Sequence, residues 1–238
     1  MSRVNFGGLS SISTIDWHGR SSSVVFLSGC NFRCPYCQNH KIVNNIDWRD
    51  IDVIKKEIYS SIDFISAVVF SGGEPTMQID ALLDLAKFSK ENDLLVGIET
   101  NGYYPCALRQ LVEKNLVDKI FLDIKTNPLD VSKYRNITGG ITDANEQVMK
   151  SLTIKDVDIE ARTTVFRSMV NDILPIAKFL KENGYDKYIM QQGIPENAPN
   201  DEIRKEKRLT KKEMENIAKN VSSTGIKIKV IEGKDYYI

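Results

Sequence analysis

The sequence predicts an α/β fold: an open, partial parallel β/α barrel of about six βα units in a single domain over residues 1–238. Three observations carry this. Six short apolar runs alternate with helical patterns over about 200 residues. The runs are near-continuous in Val, Ile, Leu and Phe, as in Ala67-Val68-Val69-Phe70, which suits parallel strands covered by helices. Six units also fall short of the eight that close a full barrel. On the pattern alone, a doubly wound sheet satisfies the alternation equally well.

The elements follow in order. Residues 1–22 read as a polar, small-residue lead-in, with Ile12, Ile15 and Trp17 as apolar anchors and a turn at His18-Gly19. Ser23–Leu27 is a buried strand ended by Ser28-Gly29. Ile51, Ile54, Ile58 and Ile62 recur every three or four residues, so Asp47–Ile62 is predicted helical. Ala67–Phe70 is the second strand, followed by a helix with Leu82, Leu83, Leu85, Ala86 and Phe88 on its apolar face. Leu94–Glu99 is the third strand. The next helix, Pro105–Lys114, opens on proline, whose missing N–H is harmless in a first turn.

Lys119–Lys125 is the fourth strand, Asp143–Leu152 a helix, and Val157–Val165 the fifth strand, in which Ile159, Ala161 and Thr163 alternate with polar residues. Met169–Glu182 is a helix stopped at Asn183-Gly184. Tyr188–Gln191 is the sixth strand, and residues 195–208 form a charged loop. Thr210 and Glu213 have the spacing of a capping box at the start of a last helix. Ile226–Ile231 ends the pattern as an alternating strand.

Composition narrows the function classes. The 32 basic and 32 acidic residues cancel, which gives no electrostatic reason for a nucleic-acid or membrane-surface partner. No apolar run approaches the roughly 20 residues of a membrane span, and the N-terminus lacks the apolar core of a signal peptide. The expected location is cytoplasmic. Three of the four cysteines fall within eight residues, Cys30-x3-Cys34-x2-Cys37, a spacing unlike a disulfide framework. Metal or redox chemistry suits it better.

Polar residues cluster at strand ends. The cysteine loop, Gly72-Gly73-Glu74, Glu99-Thr100-Asn101-Gly102, Asp123/Lys125, Arg162/Thr164 and Gln191/Gln192 all lie at or near C-terminal ends. In a parallel sheet those ends share one rim, where sites are built. A four-iron cluster ordinarily takes four thiolates, so three leave one iron for another ligand. A closed zinc site wants four protein ligands, and His40, three residues after Cys37, could be the fourth. Zinc leaves the glycine and carboxylate rim unexplained. Cys106 lies on the same rim by topology; it could complete a site of four thiolates, but reads better as a small buried residue near a helix start.

Cys30-x3-Cys34-x2-Cys37, with Tyr36 before the last cysteine, resembles the signature of the radical S-adenosylmethionine superfamily. Ser71-Gly72-Gly73-Glu74-Pro75 resembles that family's GGE motif. The resemblance implies that the three cysteines hold a [4Fe–4S] cluster and that S-adenosylmethionine chelates the fourth iron. It further implies that Tyr36, Gly72, Gly73, Glu74, Asn101, Asp123, Lys125 and Arg162 bind the cofactor. Lys125 and Arg162 would meet its carboxylate or ribose. Glu99, Thr100 and Asp123 would form a pocket for a monovalent cation.

The stretches Ile15–Gly19 and Val24–Asn39 are similar to those of activating enzymes of glycyl radical enzymes. The likeness runs on through Gly72–Gln78, Thr100–Gly102, Asp123–Lys125 and Glu160–Val165. Among these it resembles the pyruvate formate-lyase activase-like proteins that activate anaerobic ribonucleoside-triphosphate reductase. The implied partners are that glycyl radical enzyme and an external electron donor such as flavodoxin or ferredoxin, since no second cysteine cluster is present. A radical enzyme acting on a small molecule, for example in deazapurine or cofactor biosynthesis, is the competing reading; a non-catalytic metal-binding module is the third. Two departures stand out. Glu99 replaces the usual Asp, which bears on the cation pocket, and Asp16-Trp17-His18-Gly19 replaces a Pro-Gly turn.

Overall fold

In the computed structural model, which describes residues 2–232 and 235–236, long apolar runs have become strands and amphipathic runs the helices between them. Met1 and residues 233, 234, 237 and 238, which the sequence reading includes in its domain, lie outside the described residues. The chain runs β1 (Arg3–Ser13), β2 (Ser22–Leu27), α1 (His40–Val43), β3 (Trp48–Asp50), α2 (Ile51–Tyr59), β4 (Ala67–Gly72), α3 (Ile79–Glu91), β5 (Leu95–Thr100) and α4 (Pro105–Glu113). It continues through β6 (Lys119–Asp123), α5 (Val131–Ile137), α6 (Ala144–Leu152), β7 (Asp158–Val165), α7 (Val170–Glu182), β8 (Lys187–Gln192), α8 (Asp201–Arg204), α9 (Lys211–Ser222), β9 (Lys227–Glu232) and β10 (Asp235–Tyr236). The fold is α/β, with a mostly parallel, open sheet, as the sequence predicts.

The chain divides into two compact units. One comprises Met1–Asn31, Asn39–Phe121 and Lys150–Ile159; the other comprises Phe32–Gln38, Leu122–Met149 and Glu160–Ile238. In the first, β2 pairs in parallel with β4, and β4 with β5, placing Val24 beside Val69 and Val69 beside Gly97. Val24, Val25, Val68, Val69 and Phe70 are fully buried, so this part of the sheet is covered on both faces. Trp17 packs edge-on against Phe121, with ring centroids 5.5 Å apart, and closes the core formed with Val24, Ala67 and Val69.

Two expectations change in this unit. The lead-in holds an eleven-residue strand, β1, antiparallel to both β2 and β3. Its Gly- and Ser-rich sequence has little strand propensity of its own; pairing with partners distant in the chain decides its conformation. The predicted helix over Asp47–Ile62 begins later. Trp48–Asp50 joins the sheet edge, and the Asp50 carboxylate caps α2 by accepting the N–H of Asp52 at 3.0 Å. Ile51, Ile54 and Ile58 then face inward, as their spacing requires.

In the second unit, β7 pairs in parallel with β8 and β8 with β9, while β10 returns antiparallel to β9. The expected alternation of β7 is not a solvent alternation: Glu160 and Arg162 are buried as well as Ala161 and Thr163. The 195–208 loop contains a 3-10 turn at Pro195–Asn197 and the short helix α8, capped by Asn200. The capping box at Thr210 and Glu213 forms as predicted.

Candidate functional site

The site residues of the first unit are assembled by the ends of β2, β4 and β5. After β4 the chain turns so closely against the end of β2 that Gly73 N–H donates to the Leu27 carbonyl at 2.8 Å and Glu74 N–H to that of Gly29 at 2.8 Å. A Cβ at Gly73 would lie 1.9 Å from the Gly29 oxygen, so only glycine fits. Glu74 is fully buried, and its carboxylate accepts from the Thr76 N–H (3.1 Å), the Thr76 hydroxyl, the Thr100 hydroxyl (2.7 Å) and the Asn101 N–H (2.7 Å). Burial raises its pKa, and these four donors act in the opposite direction.

Asn101, thus tied to Glu74, directs its side-chain amide at Asn31 Oδ1 (3.0 Å) and Cys30 Sγ (3.7 Å). The Glu99 carboxylate accepts from the Ser71 hydroxyl at 2.6 Å. Thr100 Oγ1 donates to Glu74 and accepts the Gly102 N–H at 3.0 Å, which commits its hydroxyl within the protein. Two residues that the sequence reading gives no role complete the frame. Asn39 donates to the Gly72 carbonyl at 2.9 Å. Gln78 bridges the start of β1 and the end of β2, accepting the Asn5 N–H at 2.7 Å and donating to the carbonyls of Asn5 (3.0 Å) and Ser28 (3.1 Å). The position of Gln78 at the end of the Gly72–Gln78 stretch was the available signal.

The second unit holds Cys34, Tyr36 and Cys37 with the ends of β6 and β7. Cys37 N–H donates to the Cys34 carbonyl at 3.2 Å, making a tight turn between the two. Tyr36 is buried, tilted against Phe166 at 5.4 Å between centroids, and Lys125 Nζ stands 5.9 Å from its ring centre. Lys125 pairs with Asp123 at 2.6 Å. Burial, the largest single influence, acts to lower the Lys125 pKa, but the Asp123 carboxylate, Tyr36 and Cys34 together outweigh it and the ammonium is held well above its usual range. Arg162 pairs with Glu160 at 2.8 Å, both nearly buried, and its carbonyl accepts the Ile124 N–H at 2.7 Å. Gln38, also without a predicted role, donates to the Tyr36 carbonyl at 3.0 Å and accepts the Ile194 N–H at 3.3 Å.

Each unit therefore gathers one part of the predicted set. Cys30, Gly72, Gly73, Glu74, Glu99, Thr100 and Asn101 belong to the first; Cys34, Tyr36, Cys37, Asp123, Lys125 and Arg162 belong to the second. Cys106 is exposed near the start of α4, contrary to the buried position expected of it, because the apolar face of that helix is supplied by Ala107, Leu108 and Leu111.

Residues 24–173 match the Radical SAM superfamily. The chain belongs to the radical S-adenosylmethionine superfamily. A candidate glycyl-radical enzyme activating enzyme of Methanocaldococcus jannaschii is 37% identical over 208 residues, which cover 83% of each chain. The pyruvate formate-lyase-activating enzyme of Clostridium pasteurianum is 32% identical over 123 residues, 49% of this chain and 50% of that one. Among solved structures, TYW1 with a lysine-pyruvate adduct shares the fold at a TM-score of 0.66 and 16% identity, over 90% of this chain and 77% of the other. This is a radical S-adenosylmethionine enzyme homologous to glycyl-radical enzyme activases.

Membership of the radical S-adenosylmethionine superfamily implies a [4Fe–4S] cluster and S-adenosylmethionine, and the residues present fit a cluster. None of the four cysteines is in a disulfide. Burial pushes the Cys34 thiol up to about 11, so its thiolate calls for a cation, which cluster iron supplies. Among the described residues no three His, Cys, Asp or Glu side chains converge as one metal ion requires. No helix among the described residues is long and apolar enough to cross a membrane.

Proposed function

We propose that this chain is a glycyl-radical-generating activase whose partner is an anaerobic ribonucleoside-triphosphate reductase. The observation that carries the reading is the 37% identity to the candidate activase of M. jannaschii over 83% of both chains. In this reading Cys30, Cys34 and Cys37 hold the [4Fe–4S] cluster. When bound, the reduced cluster and S-adenosylmethionine supply a 5′-deoxyadenosyl radical able to take a hydrogen atom from a glycine. The protein positions these groups and shields them.

The chain's own residues have separable tasks. The backbone at Gly72 and Gly73 and the ring of Tyr36 line the cofactor. Glu74, fully buried, serves it by fixing Asn101 at the end of β5. The ammonium of Lys125, kept charged by Asp123, offers a partner to the cofactor's carboxylate or ribose hydroxyls, and Arg162 offers a second cation. Glu99 and Asp123 supply carboxylates for a monovalent cation. The Thr100 hydroxyl is already engaged, which leaves its carbonyl as the group it could lend. A flavodoxin or ferredoxin delivers the electron.

Co-incubation tests the reading. Reduced, cluster-loaded protein, S-adenosylmethionine and the host's anaerobic reductase should give a doublet glycyl radical by electron paramagnetic resonance. Silence with every glycyl radical enzyme of the host overturns it. Release of 5′-deoxyadenosine driven by a metabolite in place of a protein would favour a small-molecule substrate.

A further inference from the structure

We infer that Asn101 is a positioning residue that hydrogen-bonds the Cys30 sulfur and thereby raises the reduction potential of the cluster which that sulfur would hold. The inference rests on the cluster assignment in the proposed function and goes beyond it. Sequence resemblance places Asn101 among the cofactor contacts; the structure points its amide at a cysteine.

Three bonds fix the orientation. Asn101 Oδ1 accepts the Tyr103 N–H at 2.9 Å, so the oxygen end of the amide is assigned and Nδ2 must face the other way. One amide hydrogen then serves Asn31 Oδ1 at 3.0 Å and the other lies toward Cys30 Sγ at 3.7 Å, within the longer reach of a sulfur acceptor. The Asn101 backbone N–H is held by the fully buried carboxylate of Glu74 at 2.7 Å. Asn101 is only 6% exposed, so water competes poorly for its amide. The arrangement is a relay: Glu74 fixes Asn101, and Asn101 meets the sulfur.

The electrostatic consequence follows from charge. As a thiol, Cys30 can donate to Asn31 Oδ1 at 3.9 Å; ligation removes that proton and leaves the sulfur an acceptor alone. A donor aimed at a ligand sulfur stabilises negative charge there. Reduction adds one negative charge to the cluster, so the reduced form gains more than the oxidised form. Hydrogen bonds to sulfur are among the factors that set cluster potentials.

The test uses the full chain, reconstituted anaerobically, with the reduced signal followed through a redox titration. Asn101→Leu keeps similar volume and removes both donors. The expected result is an intact cluster whose one-electron reduction is about tenfold less favourable, a shift of ~59 mV to more negative potential. An intact cluster at unchanged potential overturns the inference and leaves the proposed function standing. Failure of the wild-type chain to bind any iron–sulfur cluster overturns both. Should the variant not fold, the wild type still decides. Pulsed paramagnetic resonance on protein carrying nitrogen-15 in its asparagine side chains should show coupling of that nitrogen to the reduced cluster. Its absence overturns the inference.

Discussion

A methyl group at Gly73 would stand 1.9 Å from the carbonyl oxygen of Gly29, the residue before Cys30. The neighbour is backbone at a strand end, held by two hydrogen bonds of 2.8 Å, so it has little freedom to move aside. Gly73→Ala should therefore lower stability by about 3 kcal/mol, at the upper end of ordinary overpacking, and shift the urea midpoint accordingly. A wild-type midpoint would mean that the strand end yields readily. The sequence marked the two glycines as special through the cofactor. The structure adds a second requirement, since the backbone of Gly29 fills the space a Cβ at Gly73 would need, and no local pattern carries that information. Glu74 has the same history. Its place after two glycines was legible, whereas its four donors come from Thr76, Thr100 and Asn101, two of which only the pairing of β4 with β5 brings near.

Elements were legible where local signals agreed with the fold. The apolar runs of β4 and β6 and the isoleucine spacing of α2 needed no partner to identify them. β1 and β3 were missed because pairing overrides their weak propensities. For α2, the N-cap Asp50 was the overlooked start signal. The best local prediction was α9, and it carries a pH dependence. Glu213 accepts from Arg167 in a bidentate ion pair at 2.7 and 3.0 Å and from the Thr210 N–H and hydroxyl. Arg167 foremost, then the Thr210 groups, hold its carboxyl down to about 2 from 4.5. A depressed carboxyl stabilises the folded form above its unfolded value. The contribution is thus present above pH 4.5 and lost as pH falls toward 2. Protection of the first-turn amides of α9, taken relative to their intrinsic exchange rate at each pH, should fall across that window, and Glu213→Gln should remove this dependence. Equal acid sensitivity in both proteins would exclude Glu213 as its source.

For the whole molecule, the family was readable because several motifs occur in the right order, from the cysteine loop to Glu160–Val165. The partner was not, since no motif in the sequence encodes a surface for one. Cysteine number sets a sharper limit. Of four cysteines, three occupy residues 30–37, and the fourth, Cys106, lies exposed on α4. One loop of three thiols suits one cluster, and the one remaining cysteine, Cys106, is too few to build a second. Anaerobic reconstitution should accordingly load roughly four irons per chain, the content of a single [4Fe–4S] cluster. Cys106→Ser should load the same amount. Cys34→Ala should lose the four-iron absorbance and cofactor cleavage together, because two thiolates cannot retain the cluster against loss of iron. Iron loss in Cys106→Ser would place Cys106 among the ligands and leave no coordination position open for the cofactor.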